Sequence, residues 1–245
     1  GELENHFVVV HWDQRGSGKT LELNNDSGIL SMDRMKQDAE EMFLHLLNRF
    51  DRKQLILLGN SWGTILGFHL AQTYPDKVQS FIAVSPIINH TKSQQLTLAT
   101  LQSHFTKKQN KKALAQLKSI SIPLADAKQM LILYRWETVF NGSDFPDEQF
   151  EQYLNYFKEW EKQWMSLYNE FYTLDLTNQI RRIDCPLYIL QGDKDLTTHY
   201  KVVESFFERI EAPDKELLWL ENTGHNIPGT QPAMMQKYIL SALNK

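Results

Sequence analysis

Leu55-Ile56-Leu57-Leu58-Gly59-Asn60-Ser61-Trp62-Gly63-Thr64-Ile65-Leu66 is the stretch on which the reading of this chain turns. A short apolar run at residues 54–58 reads as a buried β-strand, and residues 64–74 read as a helix. Between them lies Gly-x-Ser-x-Gly, a pattern that carries meaning when it joins a strand to a helix through a sharp turn. Side chains at Gly59 and Gly63 are expected to collide with the neighbouring strand and helix. The serine hydroxyl is then lifted above the sheet, with the positive end of the helix dipole behind it. Ser61 is therefore a candidate nucleophile.

Outward from this turn, apolar runs at residues 7–12, 80–84, 186–191 and 216–220 read as further buried strands. Helical spacing appears at residues 32–50, 201–210 and 234–243. Strands alternating with helices predict an α/β fold, a mostly parallel sheet flanked by helices. The alternation breaks at 89–176, which holds half of the chain's aromatic residues. From Phe150 the rings recur every three or four places at Tyr153, Phe157, Trp160, Trp164, Tyr168 and Phe171, as on a helix burying an aromatic stripe. The expected organisation is a core of residues 1–88 and 177–245 with a helical cap at 89–176, roofing the carboxyl ends of the strands.

Trp12-Asp13-Gln14-Arg15-Gly16-Ser17-Gly18-Lys19-Thr20 ends like a phosphate-binding loop. That loop needs a glycine five places before Gly18, and Asp13 stands there. A carboxylate would oppose a polyanion, so Lys19 is expected to bind no phosphate. With 245 residues, 42% of them hydrophobic, and a net charge of −4, the chain suits a globular protein with a full core and no nucleic-acid face. No apolar run is long enough to span a membrane. A single cysteine, Cys185, excludes an internal disulfide framework and fits a reducing compartment such as the cytoplasm. The start, Gly1-Glu2-Leu3, lacks the basic and apolar regions of a signal peptide.

A nucleophilic serine needs a base, and the base needs an orienting acid. Of eight histidines, His11 falls in an expected strand and His69 in a helix, while His6, His45, His90, His104 and His199 lie in ordinary polar settings. His225 follows the last expected strand, in a loop that brings its imidazole over the edge where Ser61 stands. The run at 186–191 ends in Gly192-Asp193-Lys194-Asp195, again at a carboxyl end. Asp195 is preferred to Asp193 because it lies past the turn, where it can reach back to the histidine. One of the two aspartates is expected to cap the helix starting near Thr198.

The order Ser, Asp, His is that of α/β-hydrolases, and the chain resembles their prolyl iminopeptidase group. Asp13-Gln14-Arg15-Gly16-Ser17-Gly18-Lys19 resembles that group's turn after an early strand, and Gly59-Asn60-Ser61-Trp62-Gly63-Thr64 its nucleophile turn. Gly192 to Asp195 and Gly224-His225 match its acid and base loops. The resemblance implies a serine hydrolase releasing an N-terminal residue, with proline a candidate, from a small peptide through an acyl-enzyme, with no cofactor or metal. Trp136-Glu137 resembles a cap motif whose glutamate receives the substrate's α-amino group, a carboxylate beneath an aromatic lid. A second such glutamate has candidates in Glu148, Glu151, Glu159 and Glu161.

One departure stands out. The group's His-Gly-Gly-Pro-Gly segment, which supplies half of an oxyanion hole, has no counterpart here, so N-terminal strands are expected to be missing from this chain. The backbone N–H of Trp62 remains as an oxyanion donor. Two other readings stay open: an esterase or amide hydrolase of a small uncharged substrate, and a non-catalytic hydrolase-like binding module.

Overall fold

A computed structural model describes residues 1–24 and 28–243. Its sheet has four strands, β1 (Leu55–Asn60), β2 (Val78–Val84), β3 (Leu187–Gly192) and β4 (Lys215–Leu220), paired in that order and all parallel. Before the sheet come α1 (Gly18–Leu23) and α2 (Met32–Arg49), and α3 (Gly63–Thr73) links β1 to β2. Five helices separate β2 from β3: α4 (His90–Lys107), α5 (Lys111–Lys118), α6 (Ala127–Phe140), α7 (Asp147–Glu170) and α8 (Leu176–Gln179). The last three are α9 (Tyr200–Arg209), between β3 and β4, then α10 (Ile227–Thr230) and α11 (Pro232–Leu243).

The period-two pattern of the strands divides the core. Phe81, Ala83, Leu187 and Ile189 face a cluster with Met35, Ala39, Phe43 and Leu47 of α2, Phe68 of α3 and Phe206 of α9. Their neighbours Ile82, Val84, Tyr188 and Leu190 face the other side, against Ile239 and Ala242 of α11. The first face is buried by α2, α3 and α9, whereas α11 covers the second face at β2 and β3 and leaves Leu58 of the edge strand β1 48% exposed. α4 to α7 form a separate apolar cluster around Leu101, Phe105, Leu117, Leu131 and Trp136. Where the chain enters and leaves this helical layer, Leu176 N–H donates to Ile88 O at 2.8 Å, beside a bridge between Asn89 and Asp175.

The run at 7–12 is not a strand. Residues 8–14 are outside regular structure and belong to no ladder, with Val8 75% and Val10 45% exposed. A strand exists only when its backbone N–H and C=O groups find a neighbour, and no described strand lies alongside this run. Only its last ring, Trp12, packs on the core. The aromatic series from Phe150 does lie along one helix, α7, up to Phe171 in the turn that follows it, although it is less buried than a core stripe: Tyr153 is exposed and Phe157, Trp160 and Trp164 are half-buried. Among the described residues no helix is long and apolar enough to cross a membrane.

Candidate active site

The turn after β1 is held in a conformation that only its surroundings can sustain. Ser61 has φ of 51°, a left-handed backbone that costs a non-glycine residue about 1–3 kcal/mol. Its N–H donates to Val84 O at 2.8 Å, locking the turn to β2, and the Thr64 hydroxyl donates to the Ser61 carbonyl. A Cβ on Gly59 would lie 2.8 Å from the Gly63 carbonyl oxygen and 2.9 Å from Thr64 Cα, so only glycine fits there. Gly63 departs from the expectation: a Cβ there would meet open space. The close approach runs from the strand to the helix backbone, and it is Gly59 that makes it.

Two loops at the carboxyl ends of β3 and β4 converge on Ser61. His225 Nε2 lies 2.9 Å from Ser61 Oγ, and His225 Nδ1 lies 3.0 Å from Asp195 Oδ2. The loops touch because position 192 has no side chain: a Cβ there would sit 2.2 Å from the Thr223 carbonyl oxygen. Asp195 is fully buried and held at both oxygens. Thr198 N–H donates to Oδ1 at 3.0 Å and Thr198 Oγ1 donates to Oδ2 at 2.8 Å. Asp195 thus meets His225 and also caps the turn at Thr198. Asp193 points elsewhere, accepting from Thr223 N–H at 3.1 Å. Ser85, buried with φ of 47°, donates to the His225 carbonyl at 3.0 Å.

Burial acts against charge on both members of the His225–Asp195 pair, yet their mutual attraction prevails. His225 is pulled down by desolvation, but the Asp195 charge and hydrogen bond, helped by Glu137, leave it above the ordinary histidine value. Asp195 is pushed up by its own burial, but the His225 charge and the bonds from His225 and Thr198 hold it below the ordinary aspartate value. The arrangement keeps an imidazole beside a hydroxyl in a fixed orientation, with a carboxylate placed to stabilise the imidazolium that proton uptake would form.

α6 reaches this site through Glu137. Its side chain is buried, Oε2 accepts from Thr197 Oγ1 at 2.6 Å, and Asp195 and His225 both lie within electrostatic reach. Burial raises Glu137 to about 7; the Thr197 bond and the His225 charge work against that rise, while Asp195 adds to it. Arg135, on the same helix, turns to Asp147 at 2.8 Å rather than to Glu137. Trp136 is not a lid over this carboxylate. It is packed among the helices, edge-to-face with Phe105, and its indole N–H donates to Gln116 Oε1 at 2.9 Å.

The four candidates for a second glutamate are occupied elsewhere or exposed: Glu161 accepts from Ala127 N–H, Glu159 pairs with Lys162, and Glu148 and Glu151 are exposed. Trp62 caps α3, where the first N–H groups of a helix lack intrahelical partners. Its ring stacks on Phe171, and its indole N–H donates to Gln14 Oε1 at 2.7 Å, tying the early turn to the turn that carries Ser61. In that early turn the Asp13 carboxylate accepts from Lys19 N–H at 3.1 Å, filling with its own charge the place a phosphate loop would offer. Arg15 donates to both oxygens of Asp38 on α2.

Thr197 and Ser85 were not among the residues the sequence singles out. Thr197 carried a signal, a hydroxyl residue just after the candidate acid. Ser85 carried none, because its role depends on a strained turn at the end of β2.

Residues 2–232 match the family described as the alpha/beta hydrolase fold. The "Probable aminopeptidase YbaC" of Bacillus subtilis (strain 168) is 22% identical, over 95% of this chain and 79% of that protein. The "Putative carbamate hydrolase RutD" of Pantoea ananatis (strain LMG 20103) is 24% identical, over 99% of this chain and 81% of that protein. Among solved structures, a thermophilic esterase from Thermogutta terrifontis superposes with a TM-score of 0.56 at 17% identity, covering 89% of this chain and 73% of that one. The parallel sheet with its helical layers and a family match over nearly the whole length agree, and the chain belongs to the α/β hydrolase fold family.

Proposed function

We propose that this α/β hydrolase is a serine hydrolase of the prolyl iminopeptidase kind, releasing an N-terminal residue, with proline a candidate, from short peptides. The observation that carries the reading is Glu137, a buried carboxylate with no lysine or arginine paired to it among the described residues, in electrostatic reach of the Ser61–His225–Asp195 series. A desolvated carboxylate without a cation of its own is suited to a substrate ammonium. In this reading Ser61 Oγ attacks the carbonyl carbon as His225 Nε2 takes its proton. The Trp62 N–H steadies the oxyanion, and His225 returns the proton to the leaving amine. Water then attacks the acyl-enzyme by the same relay. Likeness to a relative named as an aminopeptidase supports the reading, and the single buried Cys185 fits a reducing compartment such as the cytoplasm.

A second reading, an esterase or amide hydrolase of an uncharged substrate, is favoured by the same residue in its other state. Raised to about 7, Glu137 is partly protonated at neutral pH and then donates a hydrogen bond where a carbonyl could accept it. The test compares a proline or alanine anilide bearing a free N-terminus with its N-acetylated form. The free form is expected to be cleaved faster, since a blocked substrate leaves a buried charge unpaired at a cost of roughly 2–5 kcal/mol. Glu137→Gln should erase most of that preference and spare an uncharged ester. Equal rates on free and blocked substrates in the wild type would defeat the aminopeptidase reading and leave the esterase.

A further inference from the structure

Three consecutive residues of the acid loop make three different ties, two of them to facing helices and one back to Asp195. Leu196 O accepts from the Thr97 hydroxyl of α4, Thr197 Oγ1 donates to Glu137 of α6, and Thr198 grips both oxygens of Asp195. Leu196 and Thr198 are buried while Thr197 is exposed outside its one bond, so nothing about packing demands a threonine at 197. The element that aims the triad acid therefore also aims the carboxylate on the facing helix.

We infer that Thr197 is a positioning residue that sets substrate charge specificity: its hydroxyl holds the Glu137 carboxylate in place beside the triad, ready for an ammonium group. The inference rests on the reading of Glu137 as the receiver of the substrate amine. The groups facing Glu137 show why one hydroxyl matters. Asp195 from the acid loop repels its charge, and His225 from the base loop favours it. Tyr168 of α7 and Tyr134 of α6 also lie within its field. Arg135, the next residue but one on the same helix, is committed to Asp147. Burial drives the carboxyl toward its neutral form, and the Thr197 donor is the hydrogen bond that opposes it.

Thr197→Val keeps the shape of the side chain and removes the donor, and Thr197→Ser keeps the donor. Protein labelled at glutamate side-chain carboxyls with carbon-13 gives the Glu137 titration by NMR, assigned through the signal missing in Glu137→Gln. Thr197→Val should raise the Glu137 pKa, and Thr197→Ser should leave it close to the wild type. KM for a free-amino anilide at neutral pH should rise about tenfold or more in Thr197→Val, as for loss of a hydrogen bond to a charged group. KM for the acetylated anilide and kcat on an uncharged ester should stay within about twofold, well under that hydrogen-bond effect. An unchanged Glu137 titration in Thr197→Val overturns the proposal, and so does a shifted titration with an unchanged ratio of free to acetylated KM. If wild-type enzyme makes no distinction between the two anilides, the amine reading itself has failed and the specificity role falls with it. The titration arm then still decides whether Thr197 controls the charge on Glu137.

Discussion

Asp193 and Asp195 stand two residues apart on one loop, and their surroundings assign them different work. Asp195 has no access to water and faces an imidazole, whereas Asp193 is exposed and accepts one backbone N–H from the base loop. Asp195→Asn should cut turnover about 10³–10⁴-fold, because the imidazole loses the charge that orients it. Asp193→Asn keeps the acceptor for Thr223 and should cost far less. Steady-state kinetics of both variants on one substrate would check the ranking, and the opposite order would make Asp193 the acid. Glu137 allows a prediction on stability. A carboxyl whose folded pKa, about 7, lies above its ordinary 4.5 favours the fold when protonated. That contribution is complete below 4.5 and is lost as pH rises through 7. Glu137→Gln cannot ionise, so it should gain roughly 2–3 kcal/mol on the wild type between about pH 5 and about pH 8, read from urea unfolding at both ends.

The turn joining β1 to α3 shows how the same residue type serves different ends. A methyl group at Gly59 would meet the backbone of Gly63 and Thr64, which cannot yield without moving α3 against β1. Gly59→Ala should therefore lower stability by about 1–3 kcal/mol and displace Ser61 from His225. Gly63→Ala meets no atom and should leave stability near the wild type; circular dichroism melts and turnover of the two variants would separate them. This contrast also marks what was legible in the sequence. Turn, strand and helix followed from local pattern, as did the loops carrying Asp195 and His225, because periodicity and glycine placement are local properties. Which glycine is sterically required was not legible, since that depends on how closely α3 approaches β1. The run at 7–12 misled for a related reason: its composition suits a buried strand, but pairing is a property of neighbours. Trp136 misled differently. Adjacent helical residues point about 100° apart, so Glu137 and Trp136 could not share one face of α6.

At the scale of the molecule, three segments far apart in sequence meet at one edge of the sheet: α6 with Glu137, the loop after β3 with Asp195, and the loop after β4 with His225. Their charges form one system. Burial lowers the His225 pKa, but Asp195 and, more weakly, Glu137 overcome it and hold the imidazole above its ordinary value. In the proposed mechanism His225 must be neutral to take a proton, so activity on an uncharged ester should fall as pH drops through this raised value. Glu137, raised to about 7, is electrostatically coupled to that imidazole, so the wild-type acidic limb should be broadened by two interacting ionisations rather than follow a single one. Glu137→Gln removes both the second ionisation and the negative field on the imidazole. Its limb should steepen to a single-proton curve and move to lower pH. An amine substrate that places its ammonium against Glu137 would cancel the same field, so the limb of kcat for that substrate in the wild type should move the same way. Profiles of kcat and kcat/KM for ester and amine substrates, wild type against Glu137→Gln, would decide the matter. A limb that stays in place in Glu137→Gln would show that α6 and the two loops are neighbours without being electrically coupled, and one that moves to higher pH would contradict the sign of that coupling.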